Sequence, residues 1–545
     1  MDAGKLNEKA QTFKESDYAG DKAIFIKDVE AYRNIRFESA RRKIAKLLYQ
    51  RFAQDETFKF KKGTSVFQKS PQGQTEEKAG SDIPSLPQSQ PNTAPLSAAV
   101  PSSAASAPGP TSSSAPKPSD STSSMLQMGT RNNAIGVYGK CVSTVKEKVA
   151  KGEAPKDLFD EVAQEVMNDL QHDVFPRFKK SDFYKKYIRT KHLEAVKVQV
   201  KDFATFRVLG RGGFGAVHAC RKKNSGQIYA MKCVNKKLVK VKSALDNVLE
   251  ERNVLTMLNS NFVTNLKYAL QDEETLYLIM DLMLGGDFKY HLINAGRFTE
   301  KRARFYAAQV LLGLEHIHSN NIIYRDMKLE NVLLDSHGHC RLSDLGLAVV
   351  TKTKIKGYAG TPGYGQTKRL YGPGADIFSF GVMLYRMLCG SVRDSYSVKP
   401  FKGKVDRDLD KAVIEKKPQF PKEIFSKEAI SLLTGLLQKR PENRLGLGER
   451  GIEEIKEHPF FESIDWGLLE AGYIDPPFVP NKYEVNAATL KDIGEFDKNK
   501  YRHVKLDERF KARIKNFEWT SMKALQEEMV AVLEKADENI NFEKF

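Results

Sequence analysis

The stretch Tyr324-Arg325-Asp326-Met327-Lys328-Leu329-Glu330-Asn331 decides how the rest of the chain is read, together with Ser343-Asp344-Leu345-Gly346 shortly after it. It sets a carboxylate, an amine and an amide within one short loop, and a second carboxylate follows close by. Phosphoryl transfer asks for little covalent help: a carboxylate to orient a hydroxyl nucleophile, a cation on the γ-phosphate, and oxygen ligands for Mg2+. Asp326 is the candidate base and Lys328 the candidate γ-phosphate contact. Asn331 and Asp344 are the candidate metal ligands, since one amide oxygen and one carboxylate suit a hard cation that retains water.

Working outward toward the amino terminus, Leu209-Gly210-Arg211-Gly212-Gly213-Phe214-Gly215-Ala216-Val217 offers Gly210, Gly212 and Gly215, whose backbone N–H groups can approach a polyphosphate closely. Alone, this pattern also fits a dinucleotide-binding turn. That reading needs a helix directly afterwards and an acidic residue about 20 positions on. Here the chain continues as strand (A-V-H-A-C), and a second strand, I-Y-A-M-K, ends on Lys232. Lys232 is then a cation for the α- and β-phosphates, held by a carboxylate on a helix. Glu251 is the preferred partner by its register in E-R-N-V-L, with Glu250 as the alternative. A single Lys–Glu pair is most often a surface salt bridge, but four such constellations in this order and spacing do not arise by chance.

Bulk properties agree. A chain of 545 residues exceeds one core, so two or three domains are expected. The five cysteines are scattered singly with no C-x-x-C pair, which suits reduced core thiols in a cytoplasmic protein. No apolar run approaches a membrane span, and MDAGKLNEKAQTFK has no apolar core of a secretory signal. The net charge of +18 favours anionic lipid or acidic and phosphorylated proteins. Without a zinc finger, RNP-like motif or basic zipper, nucleic acid is not expected as a partner.

From about Ser70 to Ser124 the chain is Ser, Pro, Ala and Gln, too poor in apolar groups to offset its entropy, and reads as a disordered insertion. Around it the texture is helical. Ala40, Ile44, Leu47, Leu48 and Phe52 recur at helical spacing, as do Phe159, Val162, Ala163, Val166 and Leu170, with Asp157 a plausible N-cap. Phe175, Phe178, Phe183 and Tyr184 gather around Pro176 and read as part of that helical core. From Phe203 short β-branched and aromatic runs take over, and beyond Asp287 long helical stretches follow. Strands first and helices later give an α+β, two-lobed arrangement.

These residues resemble the AGC group of protein kinases. G-G-D-F-K-Y-H-L, S-D-L-G-L-A-V and His458–Pro480 narrow the resemblance to G-protein-coupled receptor kinases. It is strong from about Lys201 to the C-terminus and weaker before it. It implies a two-lobed protein kinase fold over 203–461 and an AGC-type tail with a returning helix (Met522, Leu525, Met529, Val532) over 462–545. A mostly helical regulator-of-G-protein-signalling homology domain would occupy 1–69 and 131–195, split by an insertion over 70–130.

By the same resemblance, Met280 is the gatekeeper, Asp281 and Met283 meet adenine through backbone atoms, and Asp287 meets the ribose. Lys328, two residues past the base, resembles Ser/Thr rather than tyrosine kinases. ATP and Mg2+ are the implied cofactors. Implied partners are Ser/Thr-bearing protein substrates including activated G-protein-coupled receptors, a G protein through the helical domain, and an anionic membrane surface met peripherally by a monomer. Alternatives remain a kinase for soluble substrates and a kinase-fold scaffold with weak catalysis.

Two positions depart from the family pattern. Gly360-Thr361-Pro362-Gly363-Tyr364-Gly365-Gln366-Thr367-Lys368 puts Lys368 where relatives carry a Glu that pairs with an Arg, matched here by Arg444. Phe378 stands where relatives carry Trp, while Asp376 and Gly381 are retained. A looser or rebuilt activation segment is expected. Neither a short N-terminal receptor-engaging helix nor a prenylation box is expected, the chain ending NFEKF.

Overall fold

The computed structural model describes residues 22–52, 135–182, 184–185, 187–188, 191, 196–351, 355–356, 370–390, 400–401, 406–481, 501 and 503–536. The Ser/Pro/Ala-rich insertion, Phe183 and Lys368 lie outside them.

The helical domain packs α1 (22–33), α2 (Glu38–Phe52), α3 (Lys140–Ala150) and α4 (Asp160–Asp169) around one core. Ala40, Ile44, Leu48 and Phe52 are four residues apart on α2, so they share a face, and all are buried. Tyr32 of α1 meets Phe159 edge-on at 5.2 Å and donates its hydroxyl to the Pro155 carbonyl at 2.8 Å. Asp157 does not cap α4: the helix starts at Asp160 from Phe159, with no side-chain cap. Asp157 instead offers its carbonyl to the Asp160 N–H at 3.0 Å.

A wide turn, Leu170–Val174, leads into α5 (Phe175–Lys179). Here the sequence expectation fails. The helical-domain core ends at Val166 and Leu170; Phe175 is exposed, and Phe178 and Tyr184 stay partly open, packing edge-on against each other outside it. Aromatic spacing shows that residues share a face but not what that face meets.

The small lobe is an antiparallel sheet of β1 (Phe203–Gly212), β2 (Gly215–Lys222), β3 (Ile228–Asn235), β4 (Leu266–Gln271), β5 (Thr275–Met280) and β10 (Trp519–Thr520), in the order β1-β2-β3-β5-β4-β10. Helix α6 (Lys236–Val241) and the longer α7 (Leu245–Met257) follow β3. Gly215 is set by contact: a Cβ there would lie 2.0 Å from the Cys233 carbonyl oxygen, backbone that cannot swing aside. Gly215→Ala is therefore expected to splay β2 from β3 at a cost of about 1–3 kcal/mol. Thermal unfolding checks this, and an unchanged midpoint would contradict it.

The large lobe is built on α9 (Glu300–Ser319) and α10 (Gly374–Cys389), preceded by α8 (Phe288–Ala295). On α10 nearly every side chain from Asp376 to Cys389 is buried, so it is apolar all round and lies at the centre of the lobe. Short pairs β6 (Ile322–Ile323) with β9 (Val349–Val350), and β7 (Val332–Leu334) with β8 (Cys340–Leu342), pin the loops that carry the Asp326 and Asp344 motifs.

The helical domain docks on this lobe through Arg36, which reaches Glu315 at 3.2 Å and Glu470 at 3.0 Å. Buried Lys456 also holds Glu315, at 2.8 Å.

The returning segment ends on the small lobe. Strand β10 adds to the β4 edge, and α14 (Met522–Ala536) buries Leu525, Met529 and Val532, whereas Met522 stays exposed. Glu528 of α14 enters the lobe and receives Lys222 at 2.6 Å, Tyr268 at 2.5 Å and the Tyr229 hydroxyl. Lys222 and Glu528 are 1% and 2% exposed, so this is a buried ion pair with its remaining valences filled by phenols. Burial, and then the adjacent carboxylate, push both phenols well above their ordinary range, so each keeps its proton and donates.

Candidate active site

A cavity of about 960 Å3 lies between the lobes. Its lining includes Leu209 to Val217, Lys232, Glu251, Asp281, Met283, Asp287, Asp326, Asn331 and Asp344. Lys328 contacts its edge through Asp326.

Lys232 sits on β3 opposite Val217 of β2 and Leu278 of β5, so neighbours on both sides fix its strand. Its Nζ is 2.6 Å from Glu251 of α7 and 3.4 Å from Asp344. Glu250, the alternative partner, instead accepts the Val350 N–H at 3.2 Å. Burial alone would lower the Lys232 ammonium, but the Glu251 and Asp344 carboxylates outweigh it and hold its pKa above the ordinary value. Burial likewise disfavours ionised Asp344, and Lys232 and Lys328 overcome it, keeping that carboxyl below its usual range. An ammonium and a carboxylate, both firmly charged, thus face one cavity.

The Asp326 loop is shaped from α10. The Asp376 carboxylate accepts the Tyr324 and Arg325 N–H groups at 2.9 and 2.8 Å and meets His318 Nε2 at 2.8 Å. Arg325 has φ 69 and Asp344 φ 52, left-handed conformations that non-glycine residues adopt only where the surroundings impose them. Lys328 donates to Asp326 at 2.6 Å. Asn331 Nδ2 donates to the Asp326 carbonyl at 2.8 Å and its carboxylate at 2.9 Å, which turns the amide oxygen into the acceptor left for a cation. The donor set, Asn331 oxygen and Asp344 carboxylate on one cavity, fits Mg2+ that keeps most of its water.

In the glycine loop, a Cβ at Gly210 or Gly212 would meet no atom within 4 Å, so that face is open to a ligand. Lys242 donates to the Gly213 carbonyl at 2.7 Å and lies over the Phe214 ring. Met280 closes β5. Asp281 turns its carboxylate away toward Arg341 at 2.5 Å and Lys267 at 3.1 Å, leaving only its backbone for a nucleotide base. Asp287 caps α8 by accepting the Tyr290 N–H at 2.8 Å, and burial raises its carboxyl.

Sequence reading kept Asp376 only as part of a motif, although it positions the whole loop. It also missed Pro480 and Asn481, which reach the cavity from the tail, and Glu330, which joins the same wall. No spacing rule links the tail to a site so far upstream in the chain.

Arg444, 3% exposed, meets carbonyls: Gly374 at 2.7 Å and Gln438 at 2.8 Å, beside the Phe378 ring. Phe378 stacks on Phe401 at 6.1 Å with planes 12° apart, and the Lys439 ammonium lies 3.9 Å from the Phe401 centroid. Burial, then Arg444, push Lys439 down to about 8. The Trp-to-Phe change is thus absorbed into an aromatic pair capped by cations.

Residues 203–461 match the protein kinase domain, and residues 124–187 match the regulator of G protein signaling domain. The chain is 40% identical over 387 residues to "G protein-coupled receptor kinase 2" of Caenorhabditis elegans, covering 68% of this chain and 54% of that one. It is 39% identical over 395 residues to "Beta-adrenergic receptor kinase 1" of Homo sapiens, covering 71% and 57%. The chain therefore spans a little over half the length of these curated relatives. With the lobes, the Lys232–Glu251 pair and the helical domain in view, the chain belongs to the G-protein-coupled receptor kinase family, joining a protein kinase domain to a regulator-of-G-protein-signalling homology domain.

Proposed function

We propose that this chain is a Ser/Thr protein kinase that moves the γ-phosphate of ATP to protein hydroxyls, with activated receptors as its substrates. The observation that carries the reading is the 2.6 Å Lys232–Glu251 pair facing Asp326, Asn331 and Asp344 across one cavity. In this reading the Gly210–Gly215 loop covers the phosphates and Lys232 holds the α- and β-phosphates. Asp326 accepts the hydroxyl proton, and Lys328 offsets charge on the transferring group. Asn331 and Asp344 would hold Mg2+, which supplies charge neutralisation across the phosphates. The receptor assignment draws on the relatives' names, and the helical domain is the part we assign to G-protein contact.

The test is γ-phosphate incorporation by the purified chain into a purified receptor with and without agonist, beside casein, with Lys232→Met as the control. Agonist-dependent labelling above that control is expected. Equal labelling of empty and occupied receptor removes the receptor reading, and no labelling of any acceptor removes the kinase reading.

A further inference from the structure

The short helix α6 carries contacts that the catalytic reading does not use: both of its ends reach the tip of the glycine loop. Gly212 and Gly215 pair across that loop, so Gly213 and Phe214 form its tip. At the start of α6, Asn235 caps the helix by accepting the Leu238 N–H at 2.9 Å, and its own backbone N–H donates to the Phe214 carbonyl at 3.0 Å. At the other end, Lys242 donates to the Gly213 carbonyl at 2.7 Å, and its ammonium lies 5.1 Å from the Phe214 ring centroid.

Backbone geometry sets the direction of Lys242. Its N–H closes the last turn of α6 on the Leu238 carbonyl at 3.0 Å, and the Ala244 N–H returns to Val239 at 3.0 Å. Between them Ser243 takes φ 50, a left-handed conformation that a non-glycine residue keeps only where its surroundings impose it. The lysines of α6 itself are committed elsewhere: Lys236 to Gln271 of β4 at 3.0 Å, Lys237 to Glu274 at 2.9 Å, and Lys240 to Asp507 of the tail. They moor the helix to the β4–β5 turn and to the tail, so Lys242 reaches the loop from a fixed base.

We propose that Lys242 is a positioning residue for the nucleotide, holding the tip of the glycine loop closed before ATP arrives. This rests on the reading of the cavity as an ATP site. A glycine-rich tip loses much conformational freedom when it is held in one place, so closure needs a partner. Lys242 is exposed, and a cation over an exposed ring and a hydrogen bond in water are each modest; together they change the closed fraction about fivefold. A smaller closed fraction weakens the apparent affinity for ATP by the same factor, whereas saturating ATP restores the closed loop and with it kcat.

The test is hydrogen-exchange mass spectrometry of the full nucleotide-free chain, followed by equilibrium binding of a non-hydrolysable ATP analogue and of adenosine, which has no phosphates. In Lys242→Met, exchange in residues 209–217 is expected to rise about fivefold, and the Kd of the analogue and the KM for ATP to rise alike. Adenosine affinity, and kcat on casein at saturating ATP, are expected to stay near the parent values. Lys242→Arg keeps a charged donor and a cation for the ring, and is expected to regain most of the loss. Lys237→Met removes a lysine of the same helix that does not touch the loop, and is expected to leave loop exchange unchanged. Parent-like exchange in nucleotide-free Lys242→Met would overturn the proposal even with a raised KM, since the ammonium would then act on the phosphates directly. Equal loosening by Lys237→Met, or an adenosine affinity that falls with that of the analogue, would make Lys242 a general support of the lobe and overturn it too. A parent chain that binds no analogue would remove the ATP reading alone, because exchange in the nucleotide-free chain still decides whether Lys242 holds the loop.

Discussion

Asp326→Asn is expected to lower kcat by roughly 10²–10⁴-fold, the range a positioned general base contributes. The substitution preserves shape but removes the acceptor. It also sets a neutral amide against the Lys328 ammonium, now 2.6 Å from the carboxylate, and against Asn331 Nδ2 at 2.9 Å. Nucleotide affinity rests on other groups, the glycine loop and Lys232, so titration with a non-hydrolysable ATP analogue is expected to give nearly the parent value. Initial-rate kinetics on casein supply the other half. A variant that turns over like the parent would show that Asp326 takes no part in the reaction, and one that loses nucleotide binding would show that its role is structural.

Glu528→Gln carries the largest expected effect on stability. Lys222 is 1% exposed, and its carboxylate partner is the anion that compensates it. Removing that charge leaves a buried ammonium facing an amide and the Tyr268 hydroxyl, and breaking buried pairs this way costs about 3–5 kcal/mol. The loss falls on the contact between α14 and the small lobe, so amide exchange in residues 522–536 is expected to rise before the large lobe opens. Lys222→Met/Glu528→Leu removes both charges and is expected to regain most of the stability, less what the Tyr229 and Tyr268 hydroxyls lose with their acceptor. Hydrogen-exchange mass spectrometry on the two variants separates these outcomes. Parent-like exchange in Glu528→Gln would mean the pair does not hold the helix.

The two-lobed layout and the candidate catalytic groups could be read from sequence for one reason: chemistry dictates residue types at spacings that strands and helices fix. Lys232 lies within a strand that runs on to Asn235, three residues past the end the sequence suggested, Glu251 lies on the next long helix, and Asp326, Asn331 and Asp344 share two short loops. Choosing Glu251 over Glu250 was a matter of helical register, and the geometry gives Glu250 a different task. Asp376 was harder because it works from a helix some 50 positions away, through backbone N–H groups that leave no pattern in side chains. The aromatic run after Leu170 misled because hydrophobic periodicity cannot distinguish a face that meets a core from one that meets solvent. Asp157 failed as a cap for a smaller reason: the helix begins two residues later than the acidic signal suggested.

The Lys222–Glu528 pair joins positions 306 apart in the chain. A ribosome adding about 5–20 residues per second therefore makes the lysine some 15–60 s before its partner. During that interval the small lobe must either leave Lys222 in water, with its sheet edge at β4 unpaired, or bury a cation alone. The nascent lobe thus keeps an open sheet edge and an uncompensated lysine until the last tenth of the chain emerges. A transcript truncated ahead of residue 528 would yield a protein with every candidate catalytic group present and a permanently unfinished lobe.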